Sequence, residues 1–142
     1  MAEKEVTTPQ ELTTPVVKKK KNKNKRAVPQ GQVHIKSTFN NTIITFTDPD
    51  GGTLASASAG ACGFRGSKKS TAFAAQIAME KAAGIVKQNF SLSKVDVFLK
   101  GLGLGREAAV RSLQTSDIYV NSISDVTGLP HGGCRPRKAR RI

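Results

Sequence analysis

Val33-His-Ile-Lys36 alternates apolar and polar positions, the period of a strand with one buried face. Asn41-Thr-Ile-Ile-Thr-Phe-Thr47 is rich in β-branched side chains and predicts a second strand, joined to the first as a hairpin through Ser37–Asn41. Asp48-Pro-Asp-Gly-Gly52 is a turn. Leu54-Ala-Ser-Ala-Ser58 then makes a short third strand whose small side chains let another element pack closely. A helix is predicted from Ser70 to Asn89, with Gln76, Glu80 and Lys87 on one face and Ala74, Ala78, Ala82, Ile85 and Val86 elsewhere. Six alanines between 72 and 83 point to close packing on a sheet. Gly84 inside this helix costs about 1 kcal/mol relative to alanine. Lys94–Lys100 alternates as a central strand, Arg106–Ser116 forms a second helix, and Tyr119–Ser124 is the last strand. The order βββαβαβ implies a mixed α/β sheet with helices packed against it.

Charge divides the chain differently. Of 142 residues, 23 are Lys or Arg and 10 are Asp or Glu, for a net charge of +13. Residues 1–32 hold eight bases and three acids, residues 33–128 ten and seven, and residues 129–142 five and none. A nearly balanced body of 33–126 thus lies between a basic N-terminal arm, 1–32, and a basic tail, 127–142. Seven of the nine residues in Lys18–Arg26 are basic, a density that predicts disorder in the free chain. In the tail, Pro130, Gly132, Gly133 and Pro136 exclude a regular helix or a central strand. Such arms gain free energy by displacing counterions from phosphates, which makes nucleic acid the expected partner. Neither arm pairs its charges with an apolar helical face, which argues against a membrane surface. No apolar run approaches a spanning length, and no hydrophobic signal segment follows Met1. Cys62 and Cys134 form no paired motif and read as reduced thiols, Cys134 as a small packing residue.

Two glycine-rich loops open helices. Gly101-Leu-Gly-Leu-Gly-Arg106 lets the backbone approach a phosphate at Gly101, Gly103 and Gly105 while Arg106 adds charge; the alternative is a tight turn and nothing more. The spacing is not that of a dinucleotide fingerprint, although Asp125 lies about 20 residues on, where that fingerprint places an acid. Gly60-Ala-Cys-Gly-Phe-Arg-Gly-Ser-Lys-Lys-Ser70 has the same ingredients in greater strength. Arg65, Lys68 and Lys69 supply charge, and Ser67 and Ser70 supply hydroxyls, either of which would cap the helix. Phe64 either stacks on a base or anchors the loop in the core. The lysine pair at a helix start is disfavoured unless an anion sits there. Asn40 and Asn41 either adopt left-handed angles in the hairpin turn or bond sugar and base edges. Lys36 and His131 add further contacts on this reading, His131 to phosphate or by stacking. No carboxylate cluster for a metal-dependent nuclease is evident, and His34, His131 and the two cysteines fall short of a zinc pattern.

Taken together, Phe39-Asn-Asn-Thr-Ile43, Gly63-Phe-Arg-Gly-Ser-Lys-Lys-Ser-Thr71, Phe73-Ala-Ala-Gln76, Gly101–Arg106 and Pro130-His-Gly-Gly-Cys-Arg-Pro136 resemble the universal small-subunit ribosomal protein family number eleven, in its bacterial form, from about Val33 to Ile142. The resemblance implies a three-layer α/β/α fold of the ribonuclease-H-like type without catalytic acids, and no metal or cofactor. It implies a structural role on the platform of the small subunit, bound to small-subunit ribosomal RNA near the messenger exit channel and the Shine–Dalgarno helix. Neighbouring platform proteins would be partners, messenger RNA would lie nearby, and the setting would be a cytoplasmic ribosome. Relatives usually carry Asn at Gly132, Pro at Gly128 and commonly Pro at Ala72. The RNA-contacting residues expected are Lys36, Asn40, Asn41, Phe64, Arg65, Ser67, Lys68, Lys69, Ser70, Gly101, Gly103, Gly105 and Arg106, with His131, Gly132, Gly133, Arg135, Arg137, Lys138, Arg140 and Arg141 in the tail. The alternatives are a general RNA chaperone or nucleoid protein, and a nucleic-acid-processing enzyme on the same scaffold.

Overall fold

The computed structural model describes residues 26–139 and 141. Most of the N-terminal arm and Arg140 therefore lie outside the described residues, including the stretch for which disorder is expected. The strands are β1 (Gln30–Ser37), β2 (Thr42–Thr47), β3 (Thr53–Ser58), β4 (Lys94–Lys100) and β5 (Tyr119–Asp125), with helices α1 (Ala72–Phe90) and α2 (Gly105–Thr115). They form one sheet in the order β3-β2-β1-β4-β5, in which β2 runs against both neighbours and β4 lies parallel to β1 and β5. The expected α/β class and mixed sheet are observed.

β1 begins three residues ahead of Val33, because Gln30-Gly-Gln32 pairs with Lys94–Asp96 of β4. A polar segment with no alternation carries no strand signal of its own; the partner strand recruits it. Both crossovers, β3 to β4 through α1 and β4 to β5 through α2, step in the same direction across the sheet. Right-handed connections then place both helices on one face. α1 lies over β2 and β3, α2 lies over β1, β4 and β5, and the two helices pack against each other. Of the three expected layers, the described residues supply the sheet and this one helical layer.

The core is small-on-small at one end and branched at the other. Ala74, Ala75, Ala78, Met79, Ala82, Ala83 and Val86 of α1 are buried, and they meet Ala55 and Ala57 of β3 and Ile44 and Phe46 of β2. Val33, Ile35, Val95, Val97 and Leu99 fill the rest of the same face together with Leu113 of α2. Ile85 is exposed, so the buried stripe runs through Met79 and Ala83 instead. No described helix is long and apolar enough to cross a membrane.

Candidate nucleic-acid interface

β1, β3, β4 and β5 all point the same way, so their carboxyl ends share one end of the sheet. Four segments leave or turn there: the hairpin Thr38–Asn41, the loop from Ala59 to Thr71, the loop Gly101–Leu104 and the start of the tail. The described part of the N-terminal arm joins the opposite end, where Val28 N–H donates to Phe90 O (2.8 Å) and Pro29 O accepts from Ser93 and Lys94 N–H (3.1 Å each). The two basic arms therefore attach at opposite ends of the sheet, one at the start of β1 and the other at the end of β5.

The glycine loop is pressed onto the end of β1. Gly103 N–H donates to Ser37 O (3.2 Å). A Cβ on Gly101, where φ is +101°, would collide with Ser37 O; one on Gly103 would meet Thr38 O at 2.5 Å; one on Gly105 would meet Ala75 Cβ at 2.7 Å. Close packing against Ser37, Thr38, Thr42 and Ala75 requires glycine at each of these positions, the steric reason weighed in the sequence against phosphate approach. α2 starts at Gly105, one residue before the expected Arg106, and no side chain caps it.

Arg106 is committed internally as well. Its guanidinium donates to Gly101 O (3.2 Å) and pairs with Asp125. The other Asp125 oxygen accepts from the Thr127 hydroxyl (2.6 Å) and backbone N–H (3.0 Å), while Gly101 N–H donates to the Thr127 hydroxyl (3.0 Å). The Thr127 hydroxyl, then the Arg106 guanidinium and the Thr127 N–H, hold the Asp125 carboxyl down at about 2. Val126 N–H adds a bond to Leu99 O (2.8 Å). This knot of Gly101, Arg106, Asp125 and Thr127 fixes where the tail leaves the body. Asp125 was visible in the sequence only as an acid at a dinucleotide-like spacing; its role is to clamp Arg106 and the tail.

In the 59–71 loop, two short 3-10 turns, Gly60–Cys62 and Gly66–Ser70, precede α1. The helix begins at Ala72, two residues later than expected, and its cap is Thr71, whose hydroxyl accepts from Ala74 N–H (3.3 Å). The expected caps have other uses: Ser70 donates to Ser67 O (2.9 Å), and Ser67 lies in the turn. Ala72 occupies the first helical position, where proline is also well accommodated. Phe64 is half-buried and meets the exposed Phe73 edge-on, centroids 6.0 Å apart, and it is not among the side chains packed against the core. Arg65 and Lys68 are exposed and Lys69 partly so.

Neither Asn40 nor Asn41 has a positive φ. The Thr38 hydroxyl makes the turn, accepting from Asn41 N–H (3.1 Å) and donating to Asn41 O (3.0 Å). The asparagines are thus not there for left-handed backbone, and Asn41 Oδ1 is a buried acceptor with no hydrogen-bond partner. Ion pairs among the described residues engage only Lys87, Arg106 and Arg111 of the bases. Lys36, Arg65, Lys68, Lys69, Arg135, Arg137, Lys138 and Arg141 have no acidic partner among them.

The described tail residues after Asp125 form no helix or strand, and all except Thr127 are exposed, including His131, Gly133 and Cys134. Cys134 is a free, exposed thiol and not the packing residue expected, because the tail lies off the core; Cys62 is partly buried against it. Gly132 has φ +59°, a left-handed conformation that asparagine tolerates better than other side chains.

Apolar side chains at the same end were not singled out from the sequence. Phe39 (64% exposed), Phe73 (61%), Leu102 (69%) and Leu104 (76%) crowd the rim of the basic loops. The readable signal was leucine alternating with glycines in a loop too tightly applied to β1 to bury them.

The class defined by this fold and rim is a basic α/β protein with its cationic loops and tail gathered at one end of a mixed sheet. The family model for ribosomal protein S11 matches residues 31–141, and the chain belongs to that family. It is a ribosomal protein of the small subunit.

Proposed function

We propose that this chain is a non-catalytic structural component that binds small-subunit ribosomal RNA through the carboxyl end of its sheet. The observation that carries the reading is the convergence there of unpaired Arg65, Lys68 and Lys69, the Asn40–Asn41 hairpin and the root of the five-base tail. RNA junctions are bound by shape, phosphate and sugar-hydroxyl contacts, which suits this inventory. Asn41 Oδ1 lacks a donor, and a ribose hydroxyl is one. Ser67, Ser70 and Phe64 hold the lysine loop; Gly101, Gly103, Gly105 and Arg106 position the rim; His131 to Arg141 threads between RNA helices. Family membership supports a place on the platform of a cytoplasmic ribosome, near the messenger exit and beside other platform proteins. The arm (1–32), body (33–126) and tail (127–142) are distinct units in this reading.

If about ten phosphates are neutralised, affinity for a platform RNA transcript falls with salt at a log–log slope of about −7 to −9. Removing 129–142 weakens binding far more than removing 1–17, and the chain co-sediments with small subunits on a gradient. A slope near zero, or equal effects of the two truncations, refutes the assignment. Among the described residues no three His, Cys, Asp or Glu side chains gather, so no observation favours the nuclease alternative.

A further inference from the structure

The sheet face opposite the helices carries an ordered pattern of its own. Alternation puts Gln32, His34 and Lys36 of β1, the central strand, on that side, where His34 and Lys36 are exposed. In register beside them stand Asp96, Phe98 and Lys100 of β4. The His34 and Phe98 rings lie stacked, 13° from parallel with centroids 5.1 Å apart. Their lateral neighbours in the same row are small: Thr45 and Ser56 on one side and Ser124 on the other. The ring pair therefore stands on an open floor, with no described helix above it.

One step further along, Lys36 lies directly beside Lys100, and neither has an acidic partner among the described residues. Like charges placed opposite on neighbouring strands are destabilising unless an anion lies between them. The rings and the lysine pair are two residues apart along the strands, about 6.6 Å, comparable to the reach from base to phosphate within one nucleotide. Asp96, which accepts from Asn121 Nδ2 (2.8 Å) and Ser122 Oγ (2.6 Å), sits at the other end of the row of three. Its charge repels a phosphate there and gives the surface a direction: anion at the lysine end, planar group on the rings.

We infer that this open face binds a single-stranded RNA segment, one base stacked on the His34–Phe98 pair and an adjoining phosphate between Lys36 and Lys100. Sheet-borne aromatic rings flanked by cations are a sequence-tolerant platform for single strands. Lys36 and Lys100 run straight into the hairpin and the glycine loop, so a strand crossing this face continues into the interface proposed above. The inference rests on that RNA-binding reading and adds a second surface to it.

The test uses the full chain with two probes, an oligoadenylate octamer and a platform RNA transcript, read by fluorescence anisotropy. Phe98→Leu keeps apolar volume and removes the ring; octamer affinity should fall about 10-fold, within the range of one lost base stack, with the salt slope unchanged. The double variant Lys36→Gln, Lys100→Gln should make that slope shallower by about 0.7, the share of the one phosphate it releases. His34→Ala, at an exposed position, serves if Phe98→Leu melts early. Ultraviolet crosslinking of a bromouridine octamer should label the peptide Val95–Lys100. Unchanged octamer affinity in both ring variants, with crosslinks confined to the loops and tail, overturns the inference while transcript binding by the wild type leaves the main reading standing. Wild-type protein that binds neither probe overturns both. If Phe98→Leu leaves RNA binding intact but strips a neighbouring protein from purified subunits, the face is a protein dock and the inference fails.

Discussion

Replacing Gly103 by alanine distinguishes a packing role for the glycine loop from a phosphate-cradling one. The added methyl would collide with Ser37 Oγ and lie 2.5 Å from Thr38 O and 2.9 Å from Ser37 C. Two of these atoms belong to backbone, and the loop cannot back away without losing the Gly103 N–H bond to Ser37 O. Overpacking of this kind costs about 1–3 kcal/mol. For a body of this size each kcal/mol moves the melting midpoint by about 4–8 °C, so Gly103→Ala should melt at least about 4 °C below the wild type. Gly133→Ala is the control, because its methyl would meet only Pro130 Cβ at an ordinary 3.7 Å, and its midpoint should not move. Calorimetry of the free proteins measures both. Should Gly103→Ala melt with the wild type yet bind RNA more weakly, the glycine is there for phosphate approach and the packing argument is wrong.

Acid titration probes the knot at the root of the tail. The Asp125 carboxyl is held below its unfolded value, so it contributes stability that is fully present above about pH 4 and is lost as pH falls through about 2. Asp125→Asn should flatten that part of the stability–pH curve, and an unchanged acid limb in circular dichroism melts would refute the clamp. Gly84→Ala should stabilise the free protein by about 1 kcal/mol, since a methyl there meets nothing within 4 Å outside its own helix; urea unfolding measures it. Thr71→Ala should cost about 1 kcal/mol through loss of the cap, whereas Ser67→Ala should cost less; equal losses in urea would return the cap to the serines.

Much of the fold was legible because its strands alternate. β4 was read to the residue and β2 and β3 to within one, since each has buried positions on one face and side-chain period is then visible; β5 was also read to within one, although none of its residues is buried. The start of β1 was not, because Gln30-Gly-Gln32 becomes strand only by pairing with β4. The cap moved from serine to Thr71 for a similar reason. Any of three hydroxyls in Ser67–Thr71 is able to cap, and the 3-10 turn ahead of the helix decides which one faces Ala74 N–H. The site was legible as residues and not as roles. Asn40, Asn41 and the glycines were picked out, but the turn belongs to Thr38 and the glycines answer to Ser37, Thr38 and Ala75.

Composition alone separated a balanced body from basic ends, and periodicity alone established the order of strands and helices. Both are local properties, carried by each residue whatever it meets. Which end of the sheet gathers the loops, that Arg106 is held by Asp125, and that no described helix covers the sheet face carrying the stacked ring pair are consequences of parallel pairing and right-handed crossovers. Those bring together residues tens of positions apart, and no periodicity in the chain records the encounter.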